Sequence, residues 1–156
     1  MSEKDHSHDH AHHSHAEAKH RFLERLKGQG FKLTGKRQMI VSILLAEDRY
    51  ISAKELLEQM QKTFPRLSFD TVYRNLHLLK VEGLIEESTF GDGGSKYRIA
   101  CDTHDHHHHY ICTLCGKTEL VEGCPMDMLG ITAPQGFKIE SHRFEIFGQC
   151  ADCHPV

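Results

Sequence analysis

The sequence has no apolar stretch long enough to span a membrane. Its longest one, MIVSILLA at 39–46, is far shorter than the roughly 20 residues that a transmembrane helix needs. The first twenty residues are polar and hold no apolar segment of the kind a signal peptide carries. The chain is therefore expected to be cytoplasmic, and in that reducing compartment its six cysteines favour metal ligation over disulfides.

Motifs of common enzyme classes are also missing. No serine or cysteine nucleophile is paired with a base, no glycine-rich loop could hold a phosphate, and the deaminase pattern of H-x-E with P-C-x-x-C does not occur. HDHHHH at 104–109 resembles the H-x-H-x-D-H signature of metallo-hydrolases, but His108 stands where that signature requires aspartate. We therefore expect neither an enzyme nor a small-molecule substrate.

Charge is spread unevenly along the chain, although the net charge is only −3. Residues 19–88 carry thirteen Lys or Arg against nine acids, whereas residues 99–156 carry three against eight. A polyanion would therefore bind the middle of the chain. The His-rich residues 1–19 lack the apolar side chains that offset the entropy of ordering, so we expect a disordered tail, either inert or weakly metal-buffering.

Local signals predict four helices. FLERL at 22–26 is amphipathic, Thr34 can cap a second helix, and Ser52 with Glu55 forms a capping box for a third. A fourth helix is predicted over 68–83. Helical spacing puts four of its apolar residues on the core side, namely Phe69, Val72, Leu76 and Leu79. Four others lie opposite them, namely Asp70, Tyr73, Arg74 and His77.

Two strands are predicted next, over 84–89 and 95–100, joined by the glycine-rich turn FGDGG. Helices followed by such a hairpin are typical of a winged helix. The last third predicts strands around Gly116, a short helix at 126–129, and one or two strands within 137–150. That unit is too small to hold much core of its own, so it needs a metal or a partner chain.

Two C-x-x-C knuckles, CTLC and CADC, predict a zinc site in this last third. Their cysteines are Cys112, Cys115, Cys150 and Cys153. Each knuckle can bring two sulfur atoms to one cation, and two knuckles complete the tetrahedral thiolate set that zinc favours. Four thiolates leave no open coordination position, so the site is predicted to be structural.

The histidine run before the first knuckle predicts further metal ligands. Side chains alternate between the two faces of an extended strand. His107 and His109 would therefore point to one side, and His106 and His108 to the other. One run would thus serve two different metal sites.

At this point the sequence resembles the ferric uptake regulator family of bacterial metalloregulators. The resemblance covers about residues 20–153. It rests on KLTGKR at 32–37, SFDTVYRNLHLL at 68–79, the HHHH-x-x-C-x-x-C-G block ending at Gly116, and the terminal knuckle. It implies an α+β protein, with a winged-helix DNA-binding domain over 20–100 and a small α/β zinc-containing dimerisation domain over 101–156. Such a protein would act as a homodimer on palindromic operator DNA.

The resemblance also implies site residues. Tyr73 and Arg74 would contact bases and phosphates in the major groove, Lys32 would reach the minor groove, and Arg37 would contact a phosphate. A regulatory metal would be held by Glu86, Cys101, His107 and His109, with the neighbouring Glu87 as the alternative to Glu86. A further site would use His106, His108, Asp127 and His142. Cys124 is expected to be a core or turn residue.

The implied ligands favour zinc as the sensed metal. A Cys101 thiolate suits zinc better than manganese or ferrous iron, and Tyr50 stands where iron and peroxide sensors of the family carry a histidine. We therefore expect a zinc-responsive repressor of zinc-uptake genes, with one structural and at least one regulatory zinc ion per chain. An iron or peroxide sensor is the alternative within the family, and a zinc storage or trafficking protein that uses the His-rich tail is the alternative outside it.

Overall fold

The computed structural model describes residues 15–30, 32, 34–100 and 107–154, which form two units. The first unit comprises α1 (His15–Gly28), α2 (Gly35–Glu47), β1 (Ile51–Ser52), α3 (Ala53–Gln61), α4 (Phe69–Val81), β2 (Ile85–Thr89) and β3 (Ser95–Ile99). The second unit comprises β4 (His109–Cys112), β5 (Thr118–Leu120), α5 (Pro125–Leu129) and β6 (Glu145–Gly148).

The helices of the first unit begin where side chains can cap them. The Thr34 hydroxyl accepts the Arg37 N–H, and the Ser52 hydroxyl accepts the Glu55 N–H. The Glu55 carboxylate in turn accepts the Ser52 N–H at 2.8 Å, which completes the predicted capping box. Each cap satisfies backbone donors that the first helical turn leaves without a partner.

A single apolar core joins these helices to the hairpin. Val72, Leu76 and Leu79 of α4 are fully buried, and α4 packs against α3 and β2. Strand β3 pairs antiparallel with both β2 and β1, in the order β1-β3-β2. The predicted arrangement of four helices and a wing hairpin is therefore present.

Helix α1 begins at His15 and so includes residues 15–19 of the predicted tail; residues 1–14 lie outside the described part of the chain. One expectation for this unit is wrong. Phe69 was assigned to the core, yet its side chain is 44% exposed. It is the first residue of α4, one turn beyond the buried Val72, and its ring packs edge-on against Tyr73 with centroids 4.8 Å apart.

The second unit is a three-stranded sheet with one short helix. Strand β4 lies in the centre, antiparallel to β5 and parallel to β6. Of the strands predicted within 137–150, only β6 forms, because residues 137–144 pair with no strand of the described chain. None of the helices in the described ranges combines the length and apolar character that crossing a membrane requires.

The turn after the first knuckle contacts the first unit through its backbone. The Tyr50 N–H donates to the Gly116 carbonyl at 2.9 Å, and Arg49 and Lys117 form an isolated antiparallel bridge. The Arg49 guanidinium also donates to the Cys115 carbonyl at 3.1 Å. Gly116 has a φ of +77°, and a Cβ added there would lie 2.2 Å from the Tyr50 carbonyl oxygen. Only glycine fits this contact.

We predict that Gly116→Ala destabilises the protein more than Gly130→Ala. Both positions have positive φ, which costs an alanine about 1–2 kcal/mol, but a Cβ at Gly130 meets no atom within 4 Å. The clash at Gly116 should add roughly 1–3 kcal/mol of overpacking. Urea unfolding followed by circular dichroism measures both variants, and equal midpoints for the two would contradict the close packing at Gly116.

Candidate metal centres and nucleic-acid interface

Four cysteine sulfur atoms converge at the end of the second unit. The sulfurs of Cys112, Cys115, Cys150 and Cys153 all lie within 4.8 Å of one another. Those of Cys115 and Cys150 are 3.7 Å apart, far beyond a disulfide bond length. Two sulfurs bound to one zinc ion at tetrahedral angles lie about 3.8 Å apart, given Zn–S bonds of about 2.3 Å. The Cys115–Cys150 separation therefore already matches that of two sulfurs on one zinc ion.

Backbone N–H groups favour the ionised form of the Cys112 thiol. Burial opposes ionisation of Cys112, but the N–H groups of Cys115, Cys150 and Leu114 outweigh it and lower the pKa of the thiol to about 6. Hydrogen bonds with the Cys150 and Cys115 thiols raise the pKa of Cys153 to about 12. Metal ligation needs thiolates, so a metal bound by the quartet would release the thiol protons.

The histidine run enters β4 with its side chains on different faces. His107 is exposed, whereas His108 and His109 are both buried. Burial, with a contribution from the nearby Arg98, lowers the pKa of His109 to about 4, so that its imidazole is neutral at pH 7. A neutral imidazole is the form that binds metal. His106 lies outside the described residues.

Strand β2 separates the two glutamates that the sequence left as alternatives. Glu87 pairs with Lys80 of α4 and accepts a hydrogen bond from the Tyr97 hydroxyl at 3.3 Å, so it faces the helix. The hydrogen bond from Lys80 is the main reason that the pKa of Glu87 lies below its usual value. Glu86 pairs in register with Arg98 on the opposite face, and its charge acts on Tyr50 and Arg143. Glu86 is therefore the glutamate that faces the second unit.

The region around Glu86 is rich in arginine. The Arg143 guanidinium contacts Glu145 and donates to the Tyr50 hydroxyl at 3.4 Å, while Arg98 lies 4.0 Å from Glu86. Tyr50 is almost fully buried there, and burial raises the pKa of its hydroxyl. Within the described ranges, Glu86, His107 and His109 do not form a cluster of metal-ligating atoms. Cys101, the fourth predicted regulatory ligand, lies outside those ranges.

A second cluster forms around His108, but with a different third member from the one expected. The ligand atoms of His108, Cys124 and His142 lie within 4.8 Å of one another. Asp127, which the resemblance implied, is exposed on α5 and is absent from the clusters found among the described residues. Cys124 belongs to no C-x-x-C pair, so the sequence carried no local signal for it.

Helix α4 presents an exposed face that suits DNA. The side chains of Tyr73 and Arg74 are 41% and 79% exposed, respectively. Arg74 pairs with Asp70 one turn earlier; such exposed pairs contribute only about 0.5 kcal/mol or less, so the guanidinium can turn to a phosphate at little cost. Arg37 donates to the Asn75 side chain at 3.0 Å and to the Lys32 carbonyl. Lys32 is itself exposed.

The model of the Ferric uptake regulator family matches residues 28–147. The chain belongs to the ferric uptake regulator family. It is thus a metal-responsive, DNA-binding regulator of transcription. The ferric uptake regulation protein of Staphylococcus aureus is 45% identical over 131 residues, which cover 84% of this chain and 94% of that protein. The Staphylococcus epidermidis protein of the same name is 47% identical over 131 residues, covering 84% and 92%.

Solved structures of the family share the fold. The Helicobacter pylori ferric uptake regulator, described as having three functional metal-binding sites, gives a TM-score of 0.64 at 25% identity, covering 92% of this chain and 96% of that chain. A zinc uptake regulator complexed with zinc and DNA gives a TM-score of 0.67 at 25% identity, covering 90% and 95%. The predicted family and the α+β winged-helix class are confirmed.

We predict that Cys150→Ser removes the chelator-resistant zinc of the protein, about one ion per chain. Structural zinc contributes on the order of 10 kcal/mol to the folding of small domains, so the second unit should also lose its cooperative unfolding. Metal analysis after dialysis against a chelator measures the first effect, and thermal unfolding the second. Cys124→Ser is the matched control and should keep this zinc. Unchanged chelator-resistant zinc in Cys150→Ser would rule out the quartet as the tight site.

Proposed function

We propose that this protein is a zinc-responsive repressor that binds palindromic operator DNA as a homodimer and represses zinc-uptake genes. Zinc at the cysteine quartet would be structural, and zinc held by Glu86, Cys101, His107 and His109 would be regulatory. The observation that carries the proposal is the placement of Glu86 on the wing face that meets the second unit. Ser88 of the same face donates to Glu145, the residue of β6 that pairs in register with His109.

This placement explains how metal could control DNA binding. Glu86 belongs to the first unit and the histidines to the second, so one ion shared between them would fix the two units relative to each other. A metal that favours the DNA-competent arrangement must bind it more tightly than the alternative arrangement. By the same linkage, DNA must raise the affinity for that metal by an equal factor.

An apolar surface on the second unit supports the homodimer. The exposed apolar side chains of this unit include Tyr110, Leu120, Met128, Leu129, Phe137, Ile146 and Phe147. Tyr110, Leu120, Met128 and Leu129 of this set line one apolar hollow. Exposed apolar surface of this kind marks an interface, and a two-fold axis would bury the same patch of both protomers. The same axis would set two copies of α4 on successive major grooves, matching a palindromic operator.

The donor set favours zinc over iron. Cys101 brings a thiolate to a site otherwise built from imidazole and carboxylate, and thiolates favour zinc over manganese and ferrous iron. Tyr50, buried behind this region, has no imidazole to offer. The names of the staphylococcal relatives point instead to iron, so an iron- or peroxide-responsive regulator is the second candidate.

We predict that zinc, and not ferrous iron or manganese, switches on operator binding. The probe is a palindromic duplex that this protein selects from a random pool, with binding followed by fluorescence anisotropy. Protein that keeps the quartet zinc but lacks exchangeable metal should gain about 10- to 100-fold in affinity with zinc. Cys101→Ser should lose most of that gain. A response to iron alone would establish the second candidate, and unchanged affinity after removal of the exchangeable metal would contradict both.

We predict that Arg74→Ala weakens operator binding by roughly tenfold or more, the 1–3 kcal/mol typical of a specific contact. Lys62→Ala removes the same charge from an exposed position just after α3 and serves as the control for general electrostatics. The same anisotropy assay, at fixed salt, compares the two. Equal losses in both variants would mean that Arg74 contributes only charge.

A further inference from the structure

Three metal-ligating side chains converge in the second unit, separate from the cysteine quartet. His108 precedes β4, Cys124 caps α5, and His142 lies shortly before β6. The Cys124 sulfur is 3.1 Å from Nε2 of His142, and the two imidazole centroids are 5.1 Å apart. Because these residues come from three segments distant in sequence, the fold itself brings them together.

We propose that Cys124, bound as the thiolate, takes the place of Asp127 in the additional metal site that the resemblance implies, and that it holds zinc or a similar borderline divalent cation together with His108 and His142. A sulfur and a nitrogen on one tetrahedral zinc ion lie about 3.5 Å apart, so the observed sulfur–nitrogen contact needs to open only slightly. The sulfur and nitrogen atoms are already within 4.8 Å of one another, so three ligands can meet one ion. This proposal does not depend on which metal the regulatory site senses.

Cys124 changes the metal that this site would prefer. The family resemblance implied Asp127 as the ligand here, and a carboxylate with imidazoles accepts hard cations such as manganese. A thiolate with two imidazoles is a softer set and selects zinc. Asp127 is exposed on the first turn of α5, whereas Cys124 is half-buried beside the two histidines.

Metal binding at this site would break one backbone hydrogen bond. Nδ1 of His108 accepts the Phe144 N–H at 3.2 Å, so Nδ1 carries a lone pair and Nε2 carries the proton of the neutral ring. Coordination through Nδ1 uses that lone pair. Coordination through Nε2 moves the proton to Nδ1, which then cannot accept. Either way the Phe144 N–H loses its partner, and this amide reports directly on occupancy.

The next residue links that amide to the first unit. Glu145 accepts a hydrogen bond from the Ser88 hydroxyl of β2 at 3.3 Å and contacts Arg143. The rings of His108 and His142 also pack on Phe144, with centroids 5.3 and 5.9 Å away. A metal at the three-ligand site would therefore act on the segment that meets the wing.

Cobalt(II) can test the site, because thiolate ligation gives it an intense charge-transfer band. The experiment uses Cys101→Ser protein whose quartet is filled with zinc, so that Cys124 is the one thiol left among the six cysteines. One equivalent of cobalt per chain should produce the band, and the Phe144 amide resonance should shift with it. Cys101→Ser with Asp127→Asn is the matched control and should keep the band.

Adding Cys124→Ser to Cys101→Ser should abolish the band and lower the exchangeable metal by one equivalent. Absence of the band in Cys101→Ser, or its persistence without Cys124, would overturn the proposal. If the double variant does not fold, the rate at which Cys124 is alkylated in Cys101→Ser protein tests the site instead. Peptide mass spectrometry measures this rate. One equivalent of zinc beyond the quartet should slow that alkylation at least tenfold, and an unchanged rate would refute the site.

Discussion

The backbone contact between Gly116 and Tyr50 sets how the two units of this regulator lie against each other. The Gly116 carbonyl accepts from the Tyr50 N–H, and the Gly116 α-carbon sits so close to the Tyr50 carbonyl that no side chain fits between them. The knuckle that includes Cys115 sets the shape of this turn. Arg49 extends the contact to Glu55, the capping-box residue of α3. The position of the sulfur quartet is thereby connected to a helix of the DNA-binding half through backbone atoms and one guanidinium.

The second meeting point of the units is electrostatic. Arg98 and Arg143 lie among Glu86, Glu145 and the neutral His109, so the cationic and anionic charges nearly balance. A divalent cation added there would upset that balance. Binding at Glu86 and His109 therefore requires that an arginine move away or that further negative charge arrive, and the Cys101 thiolate of the proposed regulatory site would supply that charge. The same arginines would oppose a ligand set without the thiolate.

Sequence signals were reliable where the interaction is local. The capping box at Ser52 and the knuckle at Cys112 depend on residues three apart, and both form as the spacing predicts. The sequence misplaces Phe69 because helical spacing gives its direction but cannot show that the buried face of α4 begins only one turn later, at Val72. Cys124 was missed because its neighbours, His108 and His142, are sixteen and eighteen residues away in sequence. Local sequence patterns carry no information about contacts between residues so far apart in the chain.

The sequence leaves open whether Glu86 or Glu87 is the metal ligand. Strand β2 places the two side chains on opposite faces of the wing. Alternation turns Glu86 toward the second unit, and turns Glu87 toward Lys80 in the last turn of α4. A shift of β2 that brings Glu86 to a metal ion would also move Glu87, because the two are adjacent residues of one strand. Lys80, the ion-pair partner of Glu87, lies in the last turn of the helix that carries Tyr73 and Arg74. A single peptide unit and one ion pair therefore connect Glu86 to the last turn of the helix whose exposed face carries Tyr73 and Arg74.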